Sequence, residues 1–318
     1  MSEAAETTKS GSLAWRWSLR VIGCVLFVVI LANVDLGKVM ALLKTTTPAQ
    51  ILGACTLSLW ILFLKAWRWH VFMAGLELRD SVQASFAMSF NAFLWGFITP
   101  GRLGEFKRAA YVMRRFGVPS TKAIMLCITD RLFDLAAIVI IIYLTISHSS
   151  LARALGILPM DAGELLVAGG IVAALVVAFL TIQSVRPLRT RVANLARPFF
   201  EFLGLLGLGP IRLTSVILLS VVSFLAYCLV VYVLAMHLPV MFEPADLPLL
   251  VGGTMIIGVL PISIFNFGTR EAVLIVMLGA LGNTLEQVVA FSMLFVLAYI
   301  IQIALSFVLN AVFFSWRR

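Results

Sequence analysis

Three short stretches carry side chains able to do chemistry in an otherwise apolar chain. The first reads Asn91-Ala-Phe-Leu-Trp-Gly96-Phe-Ile-Thr99-Pro100-Gly101-Arg102-Leu-Gly104-Glu105-Phe-Lys-Arg108. With Thr99 as N-cap and Pro100 at the first helical position, a helix is expected to start at this break. Its free N–H groups and the guanidinium fork of Arg102 favour an anion, such as a phosphate or carboxylate. The plainer reading of the same residues is a cytoplasmic loop followed by a basic amphipathic helix. The second stretch reads Pro261-Ile-Ser263-Ile-Phe-Asn266-Phe-Gly268-Thr269-Arg270-Glu271. Here Asn266 or Thr269 is the expected cap, which puts Arg270 and Glu271 in the first turn. No other Lys or Arg lies between Arg212 and Arg317, so Arg270 belongs to no solvated basic face. An arginine inside a membrane costs at least about 2.5–3.5 kcal/mol, and is therefore expected to be paired and functional.

The third stretch is Thr129-Asp130-Arg131-Leu-Phe-Asp134. Asp130 and Asp134 are spaced i,i+4 and share a helix face, while Arg131 and Asp134 are spaced i,i+3 and can pair. Two roles are open to them. They form an ion pair that locks two helices, or they stand beside the hairpin arginines as counter-ions and proton carriers.

The elements that must position these groups follow from composition. Of 318 residues, 62% are hydrophobic and 12% charged, with a mean hydropathy of +1.06. Soluble domains carry about 25% charged residues, so a soluble enzyme is excluded, and so is disorder. The expected fold is an all-α polytopic membrane protein. Stretches long enough to span occur at 17–34, 45–64, 123–147, 165–185, 213–236 and 288–314. The first has no small-x-small cleavage site after it and is read as a retained span rather than a signal peptide. Two further stretches, 82–116 and 249–281, break at Pro and Gly after a short apolar leg. They are expected to be re-entrant hairpins, with Pro100, Gly101, Gly104, Pro261 and Gly268 at the tips.

Charge placement gives this pattern a direction. With a cytoplasmic N-terminus, nineteen Lys and Arg fall on the inner side and three on the outer side, while Arg131 and Arg270 remain within the membrane. The C-terminus is then cytoplasmic as well, and 249–281 dips from the outside. The segments 45–147 and 213–314 become two span–hairpin–span units of opposite orientation within a single transmembrane domain, 1–318. Inverted repeats with broken helices are how secondary transporters build alternating access. The Arg-rich linker 183–212 is expected on the inner leaflet, or as an ordinary basic loop.

The net charge of +9 is thus read as topology and not as nucleic-acid binding. Cys24, Cys55, Cys127 and Cys228 lie in apolar stretches without metal-ligand spacing, and His70, His148 and His237 form no cluster. No Walker motif is present. No cofactor, metal or nucleotide is expected.

These motifs, in order and spacing, resemble the flippase-like transmembrane domain of lysyl-phosphatidylglycerol synthases and their stand-alone relatives. The resemblance rests on Asn91, Thr99 to Glu105 with Arg108, then Asp130-Arg131 with Asp134, and Pro261-Ile-Ser263 with Gly268 to Glu271, and it covers about 45–314. It implies a bacterial or archaeal protein of the cytoplasmic membrane that moves a lipid, or a lipid-linked headgroup, between leaflets. The chain ends at Arg318, so the aminoacyltransferase domain of the synthases is not expected, nor is lipid lysinylation. Substrate binding is assigned to Arg102, Arg108, Arg131, Arg270, Asn91, Thr99, Asn266 and Thr269. Coupling or charge balance is assigned to Glu105, Asp130, Asp134 and Glu271. The expected partner is an anionic or phosphate-bearing lipid, with homo-oligomerisation open. Two other classes compete: a membrane-embedded enzyme acting on a lipid phosphate or polyprenyl carrier, and a non-transporting partner of a lipid-modifying enzyme.

Overall fold

Every regular element among the described residues (25–157, 209–258 and 267–315) is helical in this computed structural model. Helix α1 (Val25–Ala32) meets α2 (Leu36–Leu43) at 92°. Asp35 makes the corner, its carboxylate accepting from the N–H groups of Gly37 and Lys38. Helix α3 (Pro48–Gly75) opens with Pro48 in the first turn and a reciprocal Thr47–Gln50 capping box. Its 28 residues reach about 42 Å, more than the ~30 Å of bilayer hydrocarbon. Then come α4 (Val82–Ile98), a 3-10 helix (Pro100–Phe106), α5 (Lys107–Phe116), α6 (Ser120–Thr145) and the short α7 (Ser150–Ala154). The second half contains α8 (Pro210–Ala235), α9 (Leu247–Gly258), α10 (Thr269–Ala280) and α11 (Leu285–Ser315).

Helices α3, α8 and α11 are long and apolar enough to cross a membrane, and the α1–α2 pair makes a fourth if it counts as one broken span. Helix α6 has the length but carries Asp130, Arg131 and Asp134 near its middle. Rows of large apolar side chains stay exposed, including Val139, Tyr143 and Leu144 on α6, Leu218, Leu225 and Leu229 on α8, and Ile300, Phe307 and Val308 on α11. In water such a surface would drive aggregation; against lipid tails it costs nothing. The molecule is a membrane protein.

Helix α3 is the axis of the assembly and packs against α4, α8 and α11, while α6 packs against α5, α8 and α9. The largest core joins α8 to α11 through Val230, Leu250, Leu274, Phe291 and Phe295. A second core of Trp69, Phe72, Val112 and Leu126 lies under α5, and rings of Phe63, Phe86, Phe90 and Phe313 seal α3, α4 and α11 together. Helices α9 and α10 are 12 residues each, about 18 Å, and pack against each other; α4 packs against the 3-10 helix that follows it.

One difference from expectation stands out. The expected span 45–64 continues to Gly75, because Lys65 and Arg68 have carboxylate partners inside the protein and do not end the helix. The described part of the expected span 17–34 is α1, which ends just before the Asp35 corner. The expected span 165–185 and most of the linker 183–212 lie outside the described residues.

A buried carboxylate ties the loops together at one end of the bundle. Asp246, just before α9, accepts from Ser149 Oγ (2.6 Å), Ser150 Oγ (2.7 Å) and the N–H groups of Leu151 and Glu243 (both 2.8 Å). Burial pushes its carboxyl up, but these four donors outweigh burial and hold it below the usual carboxylate range. A depressed carboxyl stabilises the fold above its unfolded value, about 3.9, and the gain disappears as pH falls through the lower folded value. Asp246→Asn is expected to cost about 1.5–3 kcal/mol at neutral pH, and less as the pH drops below 4. Thermal unfolding in detergent across pH 3 to 7 measures both the cost and its direction.

Candidate functional site: two buried arginine centres

Asp130 is the hub of the first centre. Its Oδ1 accepts from Arg68 Nε (2.9 Å), and its Oδ2 from Arg108 Nη2 (3.0 Å). One turn on, Asp134 accepts from Arg68 Nη1 (2.6 Å) and Lys65 Nζ (3.0 Å). The i,i+4 spacing of the carboxylates on α6 thus meets an i,i+3 spacing of cations on α3. Arg68 also donates to Ser220 Oγ on α8 (2.7 Å), so one guanidinium joins three helices. Glu105 collects the remaining cations, pairing with Arg102 (3.1 Å), Arg108 (3.0 Å) and Arg131.

The centre therefore holds five cations, Lys65, Arg68, Arg102, Arg108 and Arg131, against three carboxylates, a formal surplus of +2. Its members differ in exposure. Arg68 and Arg108 are 1% exposed, whereas Lys65, Arg131 and Arg102 are 21%, 29% and 32% exposed. The accessible side presents three cations and only one carboxylate of comparable exposure, Asp134. Arg108 lies over the Trp69 ring (4.5 Å to the centroid) and near Phe93 (5.5 Å). Its Nη1 has no hydrogen-bond partner among the described residues.

The first tip combines a 3-10 helix start with a close approach of the backbone. Thr99 ends α4 and opens the 3-10 helix with Pro100 in its first turn. Its hydroxyl donates to the Trp95 carbonyl (2.7 Å) and accepts from the Gly104 N–H (2.6 Å). A Cβ on Gly104 would meet the Trp95 carbonyl oxygen at 2.2 Å, so only glycine lets the chain fold back here. Arg102 has φ 55°, a left-handed backbone that a helical first turn does not contain. The helix expected to start at Thr99 is thus a 3-10 segment running from Pro100 and Gly101 to Phe106, in which Arg102 pairs with Glu105.

The second centre is Arg270 with Glu271, at the start of α10. Gly268 is the cap, with φ 83°; Asn266 lies outside the described residues, and Thr269 is already helical. The Gly268 N–H donates to Glu271 Oε2 (2.6 Å). Arg270 pairs with Glu271 Oε1 and donates from Nε to Ser292 Oγ on α11 (2.9 Å), whose hydroxyl donates to Glu271 in turn. Both charged side chains are 1% exposed or less, and Arg270 Nη1 has no hydrogen-bond partner among the described residues. Pro261 and Ser263 lie outside the described residues.

Tyr227 of α8 and Tyr299 of α11 have ring centroids 6.3 Å apart. Tyr227 is close enough to feel the charges of both Arg102 and Arg270. The structure thus brings Arg102, Arg108, Arg131, Glu105, Asp130 and Asp134 into one cluster, with Arg270 and Glu271 beyond the tyrosines. Asn91 stays half-buried on α4, two turns before the first tip. The expected Arg131–Asp134 pair does not form, because Glu105 takes Arg131 and Asp134 is occupied by Arg68 and Lys65. Lys65, Arg68, Ser220 and Ser292 were not foreseen. Lys65 and Arg68 stand at the basic end of an apolar run, where they read as inner-surface charges. Among the described residues, no three His, Cys, Asp or Glu side chains gather as a metal site.

Removing one member of a buried ion network leaves uncompensated charge. Asp130→Asn is therefore expected to cost about 3–5 kcal/mol, read as a lowered unfolding temperature of the detergent-solubilised protein. Adding Arg68→Met to that variant is expected to recover part of the loss, and no recovery would show that the two do not act as a pair.

No curated protein matches the chain. The family described as the lysylphosphatidylglycerol synthase TM region matches residues 17–306, nearly the whole length, including all three charged motifs and both arginine centres. The chain belongs to the lysylphosphatidylglycerol synthase TM-region family.

Proposed function

We propose that the chain is a lipid flippase that moves an anionic or phosphate-bearing lipid, or lipid-linked headgroup, between leaflets by alternating access. The observation that carries this reading is that Arg108 and Arg270 are both 1% exposed and each keeps one guanidinium nitrogen without a hydrogen-bond partner among the described residues. A buried donor left unmade costs about 1–3 kcal/mol, more for a charged group, and a phosphate oxygen is the acceptor that suits a guanidinium best. The surplus of two positive charges in the first centre favours an anion over a cationic, aminoacylated cargo.

In this reading the headgroup enters against Lys65, Arg102 and Arg131, displacing Glu105 and Asp134 from part of their contacts. It passes the Tyr227–Tyr299 pair to Arg270, while its tails stay in the bilayer. Glu271, held by Arg270, Ser292 and the Gly268 N–H, balances the charge of Arg270 until the headgroup arrives. The two short packed pairs, α4 with the 3-10 helix and α9 with α10, support two re-entrant hairpins in oppositely oriented halves, 45–147 and 213–314. Six spans, cytoplasmic termini and residence in the cytoplasmic membrane complete the reading, which assigns the protein no enzymatic step.

Reconstitution into vesicles with a fluorescent anionic lipid tests it. Arg270→Ala is expected to slow leaflet exchange at least tenfold while the protein still inserts, since one charged hydrogen-bond donor set is worth about 1.5–3 kcal/mol. Wild-type exchange rates in that variant would overturn the role of Arg270. The recovered lipid is expected to keep its mass; a changed mass would make the protein an enzyme.

A further inference from the structure

The outward side of α5 carries a second cation-lined feature that the two arginine centres do not use. A groove of about 520 Å³ is bounded by Met88 of α4 and by Lys107, Ala110, Tyr111, Arg114 and Arg115 of α5. Residues 107, 111, 114 and 115 fall on one stripe of a helix, while Arg108, Ala109 and Val112 point inward from the same ten residues. Lys107, Arg114 and Arg115 are exposed, and none has an ion-pair partner among the described residues. Asp80, the carboxylate beside the groove, accepts from the Tyr111 hydroxyl (2.7 Å). Beside Lys107 lies an apolar edge: its Nζ sits 3.5 Å from the centroid of the Trp95 ring, which is itself exposed.

We propose that this groove docks the headgroup of an anionic glycerophospholipid. Three uncompensated cations suit its phosphate, and the exposed Trp95 ring beside Lys107 suits the glycerol and the first methylenes of its chains. A free inorganic anion has no use for that apolar edge. An acidic protein would be served by the cations, but the exposed apolar rows on the neighbouring helices put the groove beside lipid. The site stands on the outer stripe of α5 alone and does not depend on transport.

The test counts bound lipids on the detergent-solubilised full chain by native mass spectrometry, with phosphatidylglycerol and phosphatidylcholine offered in equal amounts. The variant K107Q/R114Q/R115Q is expected to retain about tenfold less phosphatidylglycerol and unchanged phosphatidylcholine. The variant K107R/R114K/R115K is expected to retain both as wild type does. Should the triple Gln variant fail to insert, R114Q alone is read the same way, with about a threefold loss expected. Equal phosphatidylglycerol retention in wild type and the Gln variant overturns the proposal. Displacement of the lipid by millimolar inorganic phosphate overturns it in favour of a free anion. Preferential binding of polyglutamate, lost in the Gln variant, overturns it in favour of an acidic polypeptide. Arg270→Ala leaves the groove intact, so a failure of transport and a failure of docking are read separately.

Discussion

The ion pair between Arg68 and Asp130 is the contact on which the first half of the molecule depends. An arginine and an aspartate in a hydrocarbon-facing bundle are tolerable only when each satisfies the other. Here the pair also recruits Ser220, Asp134 and Arg108, so α3, α5, α6 and α8 meet at one point. The length of α3 follows from it. A helix whose Lys65 and Arg68 lacked partners would have to leave the apolar layer before them; with partners it runs two further turns, to Gly75.

The second half solves the same problem with fewer parts. Arg270 has one carboxylate, Glu271, which is itself held by a backbone N–H and by Ser292. The two centres therefore differ in charge: one carries a surplus and the other is neutral. An anion is drawn to the first electrostatically, and is held at the second only by the geometry of a single fork. The asymmetry sits on a frame of short packed helix pairs in both halves.

Legibility in the sequence followed isolation. Arg270 stood out because it is the single basic residue in more than a hundred positions, and Asp130, Arg131 and Asp134 because they interrupt an apolar run. Arg68 was hidden by its position, since a basic residue between tryptophans at the end of an apolar stretch is what an interfacial anchor also looks like. Partner choice was hidden for a different reason. The spacing of Arg131 and Asp134 permits a local pair, and only the placement of Glu105 on the returning tip decides against it. The breaks at Thr99-Pro100 and at Gly268 were legible as breaks. Their conformation was not, because the fold-back at Gly104 depends on contact with Trp95, nine residues earlier. The six-span count has no comparable support, as one of its members lies outside the described residues.

The sharing of Asp130 between two arginines also sets how this chain can drift over evolutionary time. The exposed apolar rows of α8 and α11 touch no particular partner within the protein, so any residue of similar hydrophobicity serves there. The charged set has no such freedom, because each exchange strands a neighbour. Lys65, Arg68, Glu105, Arg108, Asp130 and Asp134 therefore behave as a single heritable unit, replaceable together or not at all.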